Sequence, residues 1–385
     1  MRSRILFICR RFCPGEAWTN RLLAYAKGFS EQGIKVCILF IITEDSRTPY
    51  SIRIPGVDII NLWEDDGCIA KIHRGLSYLK NKRRIKNYIQ DGDICFMTDA
   101  SGLFLDEVKA SKKSVKFVYE TTEHPLVMAH NNQKKVQKLL QRIKSVDFLL
   151  VISYSLKQFF IQKGFPQNRI EVINMFVDTS RFDGLQKTTT RKYIAYCGNV
   201  SYDKDGVNIL IESFAEFHKH YSDYSLEIYG HGVGNSIQEL SKLAQEKGIS
   251  DCIVFTGAIP YEQIPQKLVN ATILALSRPD NLQNQNGFPT KLGEYLMSGN
   301  PVVVTSVGEI PLYLRDGFSG YLARPDNVDS FVSKLCQAAN DLSKDTEVAR
   351  RGKSIAMKEF SYRIQTKKAL DFILNAKCMK DNRTH

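Results

Sequence analysis

Short apolar runs alternate with amphipathic segments along the whole chain. Residues 5–9 and 302–304 are apolar without a break, as in strands that are buried on both faces. Residues 18–32 place apolar side chains at helical spacing and are followed by a glycine, a typical helix end. This alternation predicts an α/β fold with parallel sheets. Further strands are expected at residues 36–42, 58–62, 94–97, 115–119, 148–152, 170–173, 193–197, 226–229, 252–255 and 273–276, and further helices at 155–163, 206–218, 237–247, 264–270, 290–297, 328–339, 345–360 and 362–376.

A polar stretch, residues 178–192, interrupts this pattern and contains a run of threonines. A chain of 385 residues more often forms two domains than one. We therefore predict an N-terminal domain over residues 1–178, a linker over 179–192 and a second domain over 193–361. Residues 362–385 are predicted to form a final helix and a tail.

Composition argues against several classes of protein. The hydrophobic content of 43% suits packed cores, yet no apolar run reaches the length of about 18 residues that a membrane-spanning helix needs. The apolar run at the N-terminus is too short for a signal peptide. The nine cysteines are scattered without a CxxC pair, which is typical of reduced thiols rather than of zinc ligands. These features predict a cytoplasmic protein.

The formal net charge is +12, and most of the excess lies in the first 180 residues. Basic runs occur at residues 80–86, 109–116 and 134–144. Each basic residue near an anionic membrane contributes roughly 1 kcal/mol, so these runs could hold the N-terminal domain at the inner membrane face. Solvated helix faces would give the same pattern. No nucleic-acid motif accompanies the charge, so no nucleic-acid partner is expected.

The most informative segment, residues 286–297, reads Asn-Gly-Phe-Pro-Thr-Lys-Leu-Gly-Glu-Tyr-Leu-Met. Pro289 suits the first turn of a helix, because its missing N–H has no helical partner there. A loop with glycine that leads into a helix offers free N–H groups to an anion. Lys291 adds a cation in the first turn, and Glu294 adds a carboxylate one turn on. The segment therefore predicts a site for phosphate at one end and for sugar hydroxyls at the other.

This segment resembles the nucleotide-sugar site of retaining, family 4 glycosyltransferases, in the variant of bacterial envelope polysaccharide enzymes that carry Pro-Thr/Ser-Lys in the loop. The resemblance implies the GT-B fold: α/β, with two doubly wound Rossmann-like domains facing a cleft and a C-terminal helix that crosses back to the first domain. It implies that Glu294 accepts the ribose hydroxyls. The first family Glu is Asn286 here, which keeps a hydrogen-bonding side chain near the transferred sugar but loses the charge. The resemblance also assigns donor contacts to Gly287, Phe288, Pro289, Thr290, Lys291 and Leu292.

A second segment, residues 198–206, follows a predicted strand and precedes a predicted helix. It resembles the family's Gly-Arg and Lys-Gly elements, whose Arg and Lys hold the donor diphosphate. Gly198 and Lys204 match these elements, with one extra residue before Gly206, whereas Asn199 replaces the Arg. The resemblance thus assigns most of the diphosphate neutralisation to Lys204 and Lys291. An exposed lysine in a turn is the alternative for Lys204.

Two loops of the N-terminal half complete the candidate site. In GT-B enzymes the loop after the first strand lies over the donor phosphates and the acceptor, which implies a role for Gly15 and Glu16. Glu16 could instead be an acid favoured near a helix N-terminus. Many relatives place a His close to the reacting sugar carbon after the strand expected at 115–119. This makes His124, supported by Glu123, the catalytic candidate of this half.

The resemblance implies a glycosyltransferase of the hexosyltransferase type. It would move a sugar from a UDP- or GDP-linked donor to a glycan or lipid-linked acceptor with retention, in cell-surface polysaccharide biosynthesis. No cofactor and no metal are expected, because GT-B enzymes need no divalent ion and Asp91-Gly-Asp93 has the context of a turn. Two other classes stay open: a nucleotide-sugar epimerase of the same fold, and a non-catalytic module that binds sugar nucleotides or membranes, consistent with the altered Asn199 and Asn286.

Overall fold

The computed structural model describes residues 4–10, 12, 16–41, 53–62, 71–98, 104–340 and 342–375. The chain divides into two compact units. Unit 1 comprises Met1–Asn174 and Tyr362–His385, and unit 2 comprises Met175–Ser361. Each unit is built on one sheet of parallel strands. The predicted fold class, α/β with two doubly wound sheets, is confirmed.

The described part of unit 1 contains a seven-stranded sheet in the order β3-β2-β1-β4-β5-β6-β7. All residues of the strands at 5–9, 36–40 and 148–151 are buried, because helices cover both faces of a parallel sheet. The strands are β1 (Ile5–Cys9), β2 (Val36–Phe40), β3 (Val57–Asn61), β4 (Ile94–Thr98), β5 (Lys116–Thr121), β6 (Phe148–Val151) and β7 (Ile170–Val172), and the helices are α1 (Ala17–Glu31), α2 (Lys71–Arg84), α3 (Leu105–Lys109), α4 (Pro125–Met128), α5 (Gln133–Ile143) and α6 (Tyr154–Gln162).

Unit 2 contains a six-stranded sheet in the order β10-β9-β8-β11-β12-β13. The chain reverses its direction of strand addition between β8 and β11, which are paired neighbours. The strands are β8 (Lys192–Cys197), β9 (Tyr224–Tyr229), β10 (Ile253–Gly257), β11 (Ile273–Leu276), β12 (Val302–Thr305) and β13 (Tyr321–Ala323), and the helices are α7 (Val207–His218), α8 (Ser236–Glu246), α9 (Ile264–Asn270), α10 (Leu282–Asn286), α11 (Lys291–Met297), α12 (Ile310–Tyr313), α13 (Val328–Asn340) and α14 (Leu342–Ile355), the last followed by a π turn over Ala356–Phe360.

The last helix, α15 (Tyr362–Asn375), belongs to unit 1. The Tyr362 hydroxyl donates to a carboxylate oxygen of Glu31 at 2.7 Å. A Cβ on Gly28 of α1 would lie 2.2 Å from Oγ1 of Thr366, so only glycine allows α1 and α15 to approach this closely. α15 is therefore a packed element of unit 1.

A buried ion pair ties α1 to β5 in unit 1. The Arg21 guanidinium lies 2.7 Å from Oε1 of Glu120, and both side chains are at least nine-tenths buried. The same guanidinium donates to the carbonyl oxygens of Ile173 and Asn174, each at 2.7 Å. The Tyr25 hydroxyl also donates to Glu120. These hydrogen bonds compensate the loss of water around both charges.

Several elements differ from the sequence-based expectation. The elements α2 to α5, α10, α12 and β13 were not predicted, and residues 179–192, expected as a linker, lie within unit 2. There the Thr188 backbone N–H donates to Oδ1 of Asn270 at the end of α9, so polar residues of this stretch have partners in the unit. Within the described ranges no helix combines the length and the apolar character needed to cross a membrane.

Candidate functional site

The sheet of unit 2 has its topological switch point between β8 and β11. In doubly wound folds, ligands bind beside such a point, outside the carboxyl ends of the strands. The loop after β8 runs from Gly198 to Gly206, and Ser277 and Arg278 follow β11 directly. The loop after β8 contains three of the residues that the sequence assigned to the donor, namely Gly198, Asn199 and Lys204.

A buried carboxylate, Asp205, stands at the centre of this region. Its Oδ2 lies 2.6 Å from Nζ of Lys291 and 2.8 Å from the Tyr196 hydroxyl. Its Oδ1 lies 3.4 Å from Nε of Arg278. Burial would raise the pKa of Asp205, but Lys291 and then Arg278 outweigh it, so the pKa is lowered. Asp205 is therefore an ionised partner of two cations.

Two glycines make the approach of these side chains possible. A Cβ on Gly198 would lie 2.4 Å from Cε of Lys291. Gly206 has φ of +60°, and a Cβ there would lie 2.2 Å from the carbonyl oxygen of Ser277. The loop after β8 therefore needs glycine at both ends, first to admit the lysine and then to pack against β11.

Lys204 acts on Lys291 through its charge. Burial lowers the pKa of Lys291, Asp205 opposes this, and the positive charges of Arg278 and Lys204 add to the lowering. The backbone carbonyl of Lys204 accepts hydrogen bonds from Nε of Arg278 at 3.3 Å and from Nδ2 of Asn284 at 3.0 Å. The loops after β8 and β11 thus hold three cations within electrostatic reach of one another.

The carboxylate of Glu294 has a cationic partner that the sequence did not indicate. Arg181 donates to Glu294 Oε1 and to the carbonyl oxygen of Tyr261, and its guanidinium carbon lies 3.5 Å from the centre of the Tyr261 ring. Burial raises the pKa of Glu294, and Arg181 opposes that rise. Glu294 keeps about a fifth of its side chain exposed, which leaves it accessible to a ligand.

The remaining predicted donor residues occupy the turn between α10 and α11. Asn286 ends α10, with its Nδ2 donating to the Leu282 carbonyl at 2.9 Å. Gly287, Phe288 and Pro289 are buried, whereas Thr290 is exposed. The Leu292 side chain is buried in the core, and its N–H donates to the Pro289 carbonyl at 3.1 Å. That N–H, expected to face an anion, is therefore engaged within the turn.

Asn199, which stands where the family has Arg, is exposed. Its carbonyl oxygen lies 2.6 Å from the Tyr196 hydroxyl. The backbone of Asn199 thus helps to hold Tyr196 beside Asp205.

The predicted residues of unit 1 lie apart in the chain, and Gly15 falls outside the described residues. Glu16 is exposed and immediately precedes α1, with no side-chain cap hydrogen bond. His124 caps α4, because its Nδ1 accepts from the Leu126 N–H at 3.2 Å. Burial and the charge of Lys163 lower the pKa of His124. A neutral ring with an accepting Nδ1 carries its proton on Nε2.

The other predicted residues of this half take part in local hydrogen bonds and ion pairs. The Glu123 side chain is half-buried, and its backbone carbonyl accepts from the Thr121 hydroxyl at 3.1 Å. Asp93 pairs with Arg4 at 2.6 Å, and Asp91 accepts from the Ser114 N–H at 2.9 Å. In the part of the chain that the structure describes, no three His, Cys, Asp or Glu side chains are grouped as metal ligands.

Known proteins share this fold and part of this sequence. Residues 191–341 match the family model of glycosyl transferases group 1. This segment is similar to the group 1 glycosyl transferases. It spans β8 to α13, and so contains Lys204, Asp205, Lys291 and Glu294.

Two curated relatives are similar to about half of this chain. A GDP-mannose-dependent α-(1-6)-phosphatidylinositol monomannoside mannosyltransferase of Mycolicibacterium smegmatis is 24% identical over 58% of this chain and 61% of its own. The lipopolysaccharide 1,6-galactosyltransferase of Escherichia coli is 26% identical over 52% of this chain and 54% of its own. The match thus spans less than two thirds of either relative.

A solved structure extends the likeness in fold to nearly the whole chain. The Anabaena protein Alr3699/HepE, in complex with UDP, aligns with a TM-score of 0.75 and 16% identity, over 97% of this chain and 100% of its own. The fold of this chain is therefore of the GT-B type.

Sequence reasoning missed four residues of this site: Tyr196, Asp205, Arg278 and Arg181. Two of them had a signal in the chain. Asp205 is the extra residue between Lys204 and Gly206, and Arg278 lies two residues beyond a buried strand, at the carboxyl edge where ligands bind. Arg181 lies in the stretch that was interpreted as a linker, and nothing in its neighbourhood pointed to Glu294.

Proposed function

We propose that this chain is a retaining glycosyltransferase that uses a nucleoside diphosphate sugar as donor. The observation that carries the proposal is the position of Lys291. Its ammonium lies 2.6 Å from Asp205, at the switch point of the unit 2 sheet. The positive charge of Lys204 also acts on this ammonium. Ammonium groups bind phosphate oxygens by charge-assisted hydrogen bonds. Lys204 and Lys291 would hold the donor diphosphate.

The donor would be linked to UDP or GDP, with its ribose hydroxyls on Glu294. A carboxylate accepts two hydroxyl hydrogen bonds, and the partial exposure of Glu294 leaves room for them. Both bases are supported by similar proteins: the Anabaena structure contains UDP, and the mycobacterial relative is named for GDP-mannose. The turn from Gly287 to Leu292 would approach the donor beside this carboxylate.

Charge stabilisation would supply much of the rate. As the bond to the sugar breaks, negative charge grows on the leaving diphosphate, and the preorganised Lys204 and Lys291 stabilise it. Two cationic side chains would take the role that a divalent ion has in other phosphate sites, so the reaction would need no metal. In the proposal, Asn286 of unit 2 would contact the transferred sugar. In unit 1, His124 and Glu123 would be the catalytic candidates, and the neutral His124 offers an Nε2–H donor.

The acceptor would be a glycan or a lipid-linked glycan of the cell surface, which agrees with the name of the E. coli relative. Such an acceptor lies at a membrane, and α5 exposes Lys134, Lys135 and Lys138. We propose that these residues bind anionic lipid at the cytoplasmic face of the membrane. Gly15 and Glu16 would lie on the acceptor side.

A transfer assay tests the proposal. Labelled UDP- and GDP-hexoses are supplied with and without a lipid extract of bacterial envelopes, and the product anomer is assigned by NMR. Transfer with retention is expected, and Lys291→Ala should abolish it. The control is Lys242→Ala, an exposed residue of α8. Conversion of the sugar nucleotide without acceptor would favour an epimerase, and binding without conversion would favour a non-catalytic module.

A further inference from the structure

We infer that Asp205 is a positioning residue that fixes the Lys291 ammonium and keeps it protonated for the diphosphate of the donor, an inference that rests on the proposed function. The Asp205 side chain is only 2% exposed, and its Oδ2 lies 2.6 Å from Nζ of Lys291. A buried carboxylate at this distance gives the lysine a strong, directed partner. Asp205 would act through Lys291 and not on the donor itself.

The backbone around Asp205 is held on three sides. The Asp203 carbonyl accepts from Nδ2 of Asn281 at 2.6 Å, and the Lys204 carbonyl accepts from Nδ2 of Asn284 at 3.0 Å. The Gly206 carbonyl accepts from the Ser277 hydroxyl at 2.7 Å. Because these bonds fix the loop, the short Asp205 side chain has little freedom. The long, flexible Lys291 side chain must therefore adapt to the carboxylate, and not the reverse.

The charges around Lys291 show why it needs this partner. Asp205 and Tyr196 contact its ammonium, Arg278 and Lys204 act on it through their charges, and the Cys197 thiol is also within electrostatic reach. Two of these are cations, and burial also disfavours a charged lysine. Without the carboxylate, Lys291 would lose its proton at a lower pH. With it, three cations and one carboxylate leave two positive charges, which match the two charges of a sugar-linked diphosphate.

Asp205 is also the residue by which this chain departs from the Lys-Gly spacing of its family. The family's second cation is missing at Asn199, whereas Arg278 lies 3.4 Å from the Asp205 carboxylate. Asp205 therefore brings Lys291 of α11 and Arg278, which follows β11, to the loop in which Asn199 stands where the resemblance expects an arginine. Arg278 thus supplies, within unit 2, the positive charge that the resemblance expects at position 199.

The test measures the dissociation constants of UDP and GDP by calorimetry for wild type, Asp205→Asn and Lys291→Met. The measurements run from about pH 7 to about pH 9, because the phosphate is fully ionised above its second pKa. In Asp205→Asn, Lys291 should lose its proton at a lower pH than in wild type. From low to high pH, affinity should therefore fall further than in wild type, by about tenfold where the charged hydrogen bond to the diphosphate is lost. Asp203→Asn, which removes an exposed aspartate two residues away, should behave as wild type.

A double variant separates positioning from support of the fold. In a Lys291→Met background, Asp205→Asn should cause no further pH-dependent loss, because the affected group is gone. If Asp205→Asn does not fold, Asp205→Ser replaces it. Equal loss of affinity at every pH, or the same pH profile as wild type, would overturn the positioning role while the proposed function stands. If wild type binds neither UDP nor GDP, or Lys291→Met binds them unchanged, the proposed function itself fails.

Discussion

The Lys291 side chain fills the space that a side chain on Gly198 would need. An ideal Cβ on Gly198 would lie 2.4 Å from Cε and 2.5 Å from Nζ of Lys291. The atoms in conflict are the far end of a flexible side chain, so the lysine, and not the sheet, would have to move. A methyl group at this position should therefore disturb the anion site without unfolding unit 2.

Gly198→Ala should weaken the binding of UDP and GDP. The ammonium would leave Asp205, and a hydrogen bond to a charged group contributes about 1.5–3 kcal/mol, so the affinity should fall about tenfold or more. The melting temperature should fall less than in a variant that displaces the backbone, because Arg278 and the Tyr196 hydroxyl remain beside Asp205. Calorimetry and thermal unfolding of the same preparation check both statements.

Gly230→Ala is the contrasting variant. A Cβ there would lie 1.8 Å from the backbone carbonyl oxygen of Gly198, and φ is +142°, which L side chains rarely adopt. This clash involves the backbone, so the melting temperature should fall. If Gly198→Ala and Gly230→Ala lowered the melting temperature equally, the claim that the first moves only the lysine side chain and the second moves the backbone would be contradicted.

Arg181→Gln should make nucleotide binding depend on pH in the opposite sense to Asp205→Asn. Burial raises the pKa of Glu294 and Arg181 opposes this, so the variant should raise the pKa further. A protonated Glu294 accepts ribose hydroxyls less well, and the affinity for UDP or GDP should recover as the pH rises. The loss should be smaller for 2′-deoxynucleotides. Tighter binding in the variant would show instead that Arg181 competes with the ribose.

His124→Asn should abolish transfer without loss of stability. Asn is a good helix cap and can replace Nδ1 of His124 at the start of α4, but it cannot reproduce the imidazole. If His124 takes part in proton transfer, the rate should fall about a hundredfold or more. His124→Ala should lose about 1 kcal/mol of stability in addition. An active Asn variant would restrict His124 to its capping role.

The acid stability of the same variant gives an independent readout. Burial and Lys163 hold the pKa of His124 below its ordinary value of 6.5. The stability that follows from this shift is present above pH 6.5 and is lost as the pH falls through the lower pKa of the folded state. As the pH falls, the melting temperature of His124→Asn should therefore decrease less than that of wild type. A curve parallel to wild type would contradict the assigned shift.

Glu120→Ala should strongly destabilise unit 1. The substitution leaves the buried Arg21 guanidinium without its carboxylate, and breaking a buried pair in this way costs about 3–5 kcal/mol. Hydrogen exchange of the β5 and α1 amides reports on this unit alone. Lys113→Ala, which removes an exposed ion pair with Asp91, should leave the exchange rates unchanged. Similar effects of both variants would contradict the role of burial.

The fold could be predicted where burial leaves a simple pattern. β1, β11 and α9 were predicted with the bounds they have, because each is a short apolar run or a periodic segment with clear ends. α6 was expected at residues 155–163, and it begins where the Ser153 hydroxyl accepts from the Leu156 N–H at 3.1 Å. α10 and β13 escaped prediction, since five and three residues carry too little periodicity.

For the candidate site, the sequence could predict only those residues that lie in short motifs. Lys291 and Glu294 lie on one short helix, so their spacing is visible in the sequence. The partners that set their charge, Asp205 and Arg181, are 86 and 113 residues away in the chain. Such pairs arise from strand order and loop packing, which a single sequence does not display. The roles of the predicted residues themselves stay predictions.

The most direct measurement is the affinity of wild type, Lys204→Ala and Lys291→Ala for UDP and GDP against UMP and GMP. If two lysines bind the diphosphate, wild type should prefer one diphosphate over its monophosphate by about tenfold or more, since the second phosphate gains hydrogen bonds to charged groups. Each lysine variant should lose most of that preference. A wild type without preference, or variants that retain it in full, would contradict the account.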